Sequence, residues 1–477
     1  MNKILSFLKE HWIFSAVLIV LGIIFLTTLG KVPLWDWDEC LYAGYAESMK
    51  LSHNVLTNYW NGQAILDKLP FYTVLLQTPL LFSDSEFALR MVNVVATFVL
   101  LLFIYFFTTV RFSKRVGIFS ILFLLTGEVL VRYFTKISTD IPFTLFIFLG
   151  YIVFTSRFST RKRGLIAGFA FALATLVKGF GVLPFLLSMG LIALLFEQQS
   201  KIKLLVWLGI GFFVLVTPWL LVEYSIYGEK FIHVYFWENI VQRSRYPIEF
   251  HFGGRLFYIK SILREWFPWV LIGFGGLISI LKKERKTIEL LICIIVPFFF
   301  LTLAKTKIEW YAAPLYPFIA IYLAYSLDLI FKKFKVHQVA ILFIAILIAL
   351  DGFYLVIKEN KFFVKNVTDD SRIAIAKQAR MQPESELNYL VQFSERQAKD
   401  ILNPTLYTSF TWIYGGNACA HYYSKKRVRY FYSVSDFSLR LKRGNGLFLI
   451  QNGDLNRLKG YKVTVVSKNS DFTLFKL

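Results

Sequence analysis

PLWDWDECLYAGYAESMKLSHNVLTNYWNGQAILDKLPFYTVLLQTP, residues Pro33 to Pro79, is the stretch on which the reading of the fold turns. It is too polar to lie in lipid, yet apolar runs long enough to span a bilayer stand on both sides of it. Asp38 and Glu39 follow a membrane exit and are flanked by Trp35, Trp37 and Tyr42, aromatics of the kind that settle at headgroup level. Downstream, Asp67-Lys68-Leu69-Pro70 sets an acid beside a base. Within the stretch, Cys40–Lys50 has the helical spacing of an interfacial segment, and Phe71–Leu81 is an apolar piece too short to span. The whole reads as the front half of an active site built on a membrane surface.

Working outward, a chain of 477 residues with 56% hydrophobic residues and mean hydropathy +0.55 carries more apolar side chain than one soluble core buries. It reads as a polytopic α-helical membrane protein with about eleven spans. They are expected near Trp12–Leu29, Ala88–Val110, Gly117–Val131, Ile141–Phe154, Gly164–Val177, Val182–Phe196, Leu204–Val222, Phe267–Leu281, Ile288–Ala304, Tyr311–Ile330 and Val339–Ile357. With Lys3 and Lys9 inside, the basic clusters at 111–115, 157–163, 201–203, 282–286 and 332–335 all fall on the cytoplasmic side. One missed or invented helix would put the later clusters on the wrong face, so their agreement supports count and orientation together.

The division that follows is a membrane domain over 1–357, with outward loops 30–87 and 223–266, and a soluble extracytoplasmic α+β domain over 358–477. In the latter a helix is expected at Ser371–Met381. Strands are expected at Asn388–Phe393, Arg427–Val434, Gly446–Ile450, Tyr461–Val466 and Phe472–Leu477. The net charge of +22 has its cause in the cytoplasmic loops and a basic tail that suits an anionic membrane or a phosphorylated substrate as well as plain solvation. No nucleic-acid partner is expected. Cys40, Cys293 and Cys419 are too few and too widely spaced to read as a disulfide framework or a metal site. The first apolar run lacks a small-residue cleavage site and is expected to remain as a span.

The chemically capable residues fall on the outward face: Asp38, Glu39, Asp67, Lys68, Asp140, Lys178, Glu238, His251, Arg255, Lys305 and Lys307. Asp140 precedes Ile141-Pro142 at a helix start, where capping alone explains an Asp as well as chemistry does. Lys178, in an outward turn, reads equally as a snorkelling anchor. Carboxylates able to take a proton or hold a divalent metal are mixed with cations able to hold a phosphate. That mixture suits attack of a hydroxyl or amine on an activated sugar with phosphate as the leaving group. A lipid-linked donor explains why such an enzyme is embedded in a membrane.

The ordered motifs Asp38-Glu39-x-x-Tyr42-Ala43, Asp67-Lys68-Leu69-Pro70, Asp140-Ile141-Pro142, Lys178-Gly179, Pro218-Trp219, Phe236-Trp237-Glu238 and Lys307-Ile308-Glu309-Trp310-Tyr311 carry a family resemblance. They resemble the bacterial GT-C glycosyltransferases, in the branch of lipid A aminoarabinose transferases and protein O-mannosyltransferase-like enzymes. The resemblance implies a GT-C membrane domain in the cytoplasmic (inner) membrane with its active site outside. It implies inverting transfer from a polyprenyl-phosphate-sugar donor to an envelope lipid, glycan or protein acceptor. It makes Asp38 the general base, with Glu39 beside it and Asp140 across the cavity. It gives the donor phosphate to Lys68, with Arg255, Lys305, Lys307 and Tyr311 as further candidates. A divalent metal ion is implied at Asp67 and Glu238, although Glu238-Asn239-Ile240 stands where the family has a His. Leu41 stands where the aminoarabinose enzymes have an Arg, so donor or acceptor differs there.

A transporter or flippase of a lipid-linked or anionic solute is the competing reading. Transporters place ionisable groups near the bilayer midplane on broken helices. Here the acids sit at outer helix ends and in loops, with Glu128 and Asp351 the exceptions.

Overall fold

A computed structural model describes residues 10–35, 38–247, 251–276, 279, 283–367, 371–391 and 418–477. Trp37, Leu281 and Lys282, used above, lie outside the described residues, as do Lys3 and Lys9. The helices in chain order are α1 (Trp12–Thr28), α2 (Asp38–Ser52), α3 (Phe71–Leu80), α4 (Glu86–Arg111), α5 (Lys114–Leu125), α6 (Asp140–Phe154), α7 (Thr160–Lys178), α8 (Leu183–Phe196) and α9 (Lys201–Tyr227). They continue as α10 (Phe257–Trp266), α11 (Arg285–Leu303), α12 (Tyr316–Lys333), α13 (Gln338–Val367), α14 (Ser371–Arg380), α15 (Ala418–Ser424) and α16 (Val434–Lys442). Their ends obey local rules. Ser85 caps α4 by accepting from the Ala88 amide at 3.2 Å, and Glu86 and Arg111 complement its dipole at the two ends.

Ten of the eleven expected spans overlap α-helix. By length and composition, however, six stretches among the described residues qualify as crossing a membrane: Glu86–Arg111, Thr160–Phe196, Lys201–Tyr227, Arg285–Leu303, Glu309–Lys333 and Gln338–Phe362. α1 and α6 are apolar but shorter. Gly117–Val131 is divided between α5 and a turn at Glu128–Val131, and the Phe267–Leu281 segment is described as a 3-10 turn over Trp269–Gly276. Hydropathy marks where a span begins more clearly than whether a short helix crosses alone. The helices pack closely where small residues allow it. A Cβ at Gly168 would lie 2.3 Å from the Leu208 carbonyl oxygen, and one at Gly211 2.3 Å from that of Leu165, so α7 and α9 meet backbone to backbone.

Four of the five basic clusters expected on the cytoplasmic face, those at 111–115, 157–163, 282–286 and 332–335, are linked through shared carboxylates. Arg163 and Arg285 share Glu197 at 2.9 and 3.1 Å, Arg285 and Arg111 share the buried Glu289, and Arg115 and Lys332 share Asp328 at 3.3 and 2.7 Å.

The polar stretch that opens the reading forms α2, then a two-stranded hairpin of β1 (Asn58–Trp60) and β2 (Gln63–Ile65), then α3. Asn61 and Gly62 turn the hairpin, both at positive φ. The C-terminal part forms a five-stranded sheet of β3 (Glu386–Leu390), β4 (Arg427–Phe431), β5 (Leu447–Gln451), β6 (Thr464–Lys468) and β7 (Phe472–Lys476), in the order β4-β3-β5-β7-β6. The β3 pairings are parallel and the β7 pairings antiparallel. Each strand falls within a few residues of its expected position, and α14 takes the place of the expected helix; residues 392 and 393 of the first run lie outside the described residues. One feature overturns the sequence reading of the cysteines: Cys40 in α2 and Cys419 in α15 form a disulfide across 379 residues of chain, a separation that no spacing rule detects.

Candidate active site

The loops and helix ends expected on the outward side line a cavity of about 1360 Å³, beyond the usual range for a single small ligand. Asp38, Lys68 and Asp140, from three segments far apart in sequence, all line it. Asp38 starts α2, where the unpaired amides of the first turn favour a carboxylate. Tyr42, one turn on, is buried beside it. Burial pushes the Tyr42 phenol well above its ordinary range; Lys68 opposes this, while Asp38, Asp67 and Asp140 add to it. One hydroxyl thus senses four charges, which is the convergence the sequence left undecided.

Asp140 does not act as the cap of α6. Its Oδ2 accepts from Ser138 Oγ, and its Oδ1 accepts from Lys178 Nζ across the cavity. Lys178, the last residue of α7, is therefore an ion-pair partner rather than a snorkelling anchor, its Nζ 5.3 Å from the centre of the Tyr311 ring. Arg243 Nη1 donates to Tyr311 Oη at 3.4 Å, so Lys178 and Arg243 meet at Tyr311, and Lys68 adds a further cation to the lining. The lining also has an apolar part, with Leu183, Phe185 and Leu187 of α8 and Pro297, Phe300 and Leu301 of α11.

Another part of the lining is formed by Trp35, Glu128, Arg132, Lys136, Lys358, Glu359 and Phe362. Arg132 pairs with Glu359 at 3.0 Å and Lys358 with Glu128 at 2.9 Å, which explains the acid expected inside a span at Glu128. Asp351 accepts from Trp269 Nε1 at 2.6 Å. The Lys136 ammonium sits 4.7 Å over the Trp35 ring, and burial lowers its pKa to about 8, with Glu39 pulling the other way.

Several expected roles are corrected by placement. Glu39 is 3% exposed and its oxygens are fully used. Oε1 accepts from Arg90 Nε at 3.0 Å and the Ile137 amide at 2.9 Å, and Oε2 accepts from Arg90 Nη2 at 2.7 Å and the Trp35 amide at 2.8 Å. It lines the cavity, yet all four of these bonds go to the protein, and it holds the loop that carries Asp38. Arg255 and Lys305 are exposed and do not line the cavity. Lys307 is buried but donates to the Leu301 and Thr302 carbonyls at 2.7 Å each, closing the end of α11. Glu238 pairs with His233 at 3.2 Å and is likewise absent from the lining. Asp67 lines the cavity next to Lys68, at 3.5 Å from its ammonium. Among the described residues no group of three or more His, Cys, Asp or Glu gathers as a metal shell. No step below passes through a divalent ion.

Arg243, legible only as one of several charged residues of the second long loop, and Lys136 stand outside the expected site residues. Arg243 lies next to a π-helical segment, Ile232–Gln242, whose wider turn changes which residues face inward. Lys136 was visible only as one more basic loop residue.

Residues 69–221 match the sequence profile of the dolichyl-phosphate-mannose-protein mannosyltransferase family. An uncharacterized protein of Aquifex aeolicus is 28% identical over 345 residues, 69% of this chain and 67% of that protein. Undecaprenyl phosphate-alpha-4-amino-4-deoxy-L-arabinose arabinosyl transferase 2 of Proteus mirabilis is 26% identical over 343 residues, 69% of this chain and 62% of the relative, so the match spans less than two thirds of the named transferase. The crystal structure of ArnT from Cupriavidus metallidurans bound to undecaprenyl phosphate superposes with a TM-score of 0.75 at 16% identity, covering 98% of both chains. Residues 69–221 thus carry the profile of that mannosyltransferase family, and the chain as a whole has the fold of the ArnT structure.

Proposed function

We propose that the protein moves a sugar from a polyprenyl-phosphate carrier to an envelope lipid, glycan or protein acceptor in one inverting displacement. The chain would cross the inner membrane about eleven times, with the cavity and the C-terminal α+β domain on the extracytoplasmic side. The observation that carries this reading is the cavity shared by Asp38, Lys68 and Asp140, whose lining combines cations with apolar side chains of α8 and α11. The printed activity of the Proteus mirabilis relative, and the carrier bound in the Cupriavidus metallidurans structure, name the donor class.

In this reading the isoprenoid lies between α8 and α11 and its phosphate meets Lys68 and Arg243. The acceptor approaches from the side of Trp35 and Lys136. Asp38 takes the proton from the acceptor hydroxyl or amine as its heteroatom bonds to the anomeric carbon. The bond from that carbon to the phosphate oxygen breaks, and the leaving phosphate keeps the electron pair under the neighbouring cations. Asp140, held by Ser138 and Lys178, orients the acceptor or the base. Purified protein in lipid nanodiscs, given radiolabelled polyprenyl-phospho-sugar and envelope extract, should release free polyprenyl phosphate and label the acceptor. Movement of the lipid-linked sugar across sealed vesicles without bond cleavage would contradict the reading and favour a flippase.

A further inference from the structure

The segment that carries Asp38 is held from two directions. On one side Arg90 donates to the Val32 and Pro33 carbonyls, each at 2.8 Å, while pairing with Glu39. On the other side the segment is attached to the C-terminal part of the chain. The Leu34 amide donates to Tyr423 Oη at 2.6 Å, and Tyr423 Oη donates to Glu86 Oε1 at 3.2 Å. Two residues past Asp38, the first turn of α2 is joined covalently to α15 through Cys40 and Cys419, both fully buried. The sulfurs lie 3.8 and 3.6 Å from the same Leu34 carbonyl oxygen. The disulfide is thus packed directly against the backbone that leads into Asp38.

The rest of this interface is non-covalent. Lys425 pairs with Glu47, and Asn61 exchanges two hydrogen bonds with the Val428 backbone, at 2.7 and 2.9 Å. Trp60 packs edge-on against His421 and stacks on Tyr430. These contacts join the two parts independently of the disulfide. They act on the C-terminal end of α2 and on the hairpin, whereas the disulfide and Tyr423 act where Asp38 begins.

We propose that Cys40 and Cys419 are a positioning pair whose oxidation fixes the start of α2, so that transfer depends on their redox state. The inference rests on Asp38 being the base. A reaction whose base must sit within hydrogen-bond reach of the acceptor is sensitive to displacements of about 1 Å. The bond is made by thiol–disulfide exchange with an oxidised dithiol compound: the two cysteine thiols lose two electrons and two protons, and the oxidant's disulfide becomes two thiols. Such exchange proceeds outside the reducing cytoplasm, which matches an extracytoplasmic cavity.

The test uses the full chain with Cys293→Ala, which removes the one other cysteine, a buried residue of α11 outside the cavity. The protein in nanodiscs is equilibrated with reduced or oxidised glutathione, the bond is scored by thiol labelling and mass spectrometry, and two readings are taken. In transfer assays, reduction should lower kcat at least about tenfold with donor KM little changed, and oxidised glutathione should restore it. C40A/C419A should stay at the low rate in either buffer. In hydrogen exchange, which needs no turnover, reduction should release protection at residues 34–41 while the sheet stays protected. Equal kcat in verified oxidised and reduced protein overturns the proposal, as does unchanged exchange at 34–41. If oxidised protein shows no transfer at all, the glycosyltransferase reading fails, and the proposal falls with it whatever the exchange pattern.

Discussion

Arg90 holds both carboxylate oxygens of Glu39 in the interior, Nε at 3.0 Å from Oε1 and Nη2 at 2.7 Å from Oε2, with side chains 1% and 4% exposed. Removing one partner of such a pair leaves the other charge uncompensated, at about 3–5 kcal/mol. Glu39→Gln and Arg90→Leu are therefore expected to lower thermal stability in detergent and to lose activity in step with it. Glu39→Gln retaining wild-type stability while losing activity would return Glu39 to a chemical role.

Lys68 lines the cavity and Arg255 does not. Lys68→Ala should cost about 100-fold or more in kcat/KM for the lipid-linked donor, since a cation is lost from the developing phosphate charge. Arg243→Ala should fall in the same direction, whereas Arg255→Ala, an exposed change, should leave donor kinetics as they are. Steady-state assays varying donor concentration separate the three.

Lys136 offers a pH signature. Burial brings its pKa down to about 8, so it is charged below that pH and neutral above it. Acceptor KM should rise as pH increases from 7 to 9, with its midpoint near 8, and Lys136→Arg should flatten the profile because guanidinium stays charged. The linked stability effect has the opposite sign. The folded pKa lies below the ordinary lysine value of 10.5, so the burial penalty is present below pH 8 and is relieved as pH rises from 8 toward 10.5.

How much of this was legible in the sequence differs between residues for physical reasons. Asp38, Lys68 and Asp140 stand beside helix starts and membrane exits, features that hydropathy and Pro or acidic signals mark locally, and topology then puts them on one face. The choice between Arg243 and Arg255, or between Lys178 and Lys307, depends on which way a side chain leaves its turn. A π-helical segment before Arg243 and the free carbonyls at the end of α11 decide that, and neither has a residue pattern. Glu39 looked as reactive as Asp38 because a buried partner fifty-one residues away is invisible along the chain. The Cys40–Cys419 bond was hidden in the same way, whereas the strands of the C-terminal sheet, whose signals are local, were legible within a few residues.

The most direct test of the central claim is the turnover of Asp38→Asn with labelled polyprenyl-phospho-sugar, measured beside its melting temperature. The account predicts a fall in kcat of about 1000-fold or more at unchanged melting temperature and little-changed donor KM, as expected when a general base is removed from an intact site. Undiminished turnover by folded Asp38→Asn would contradict it.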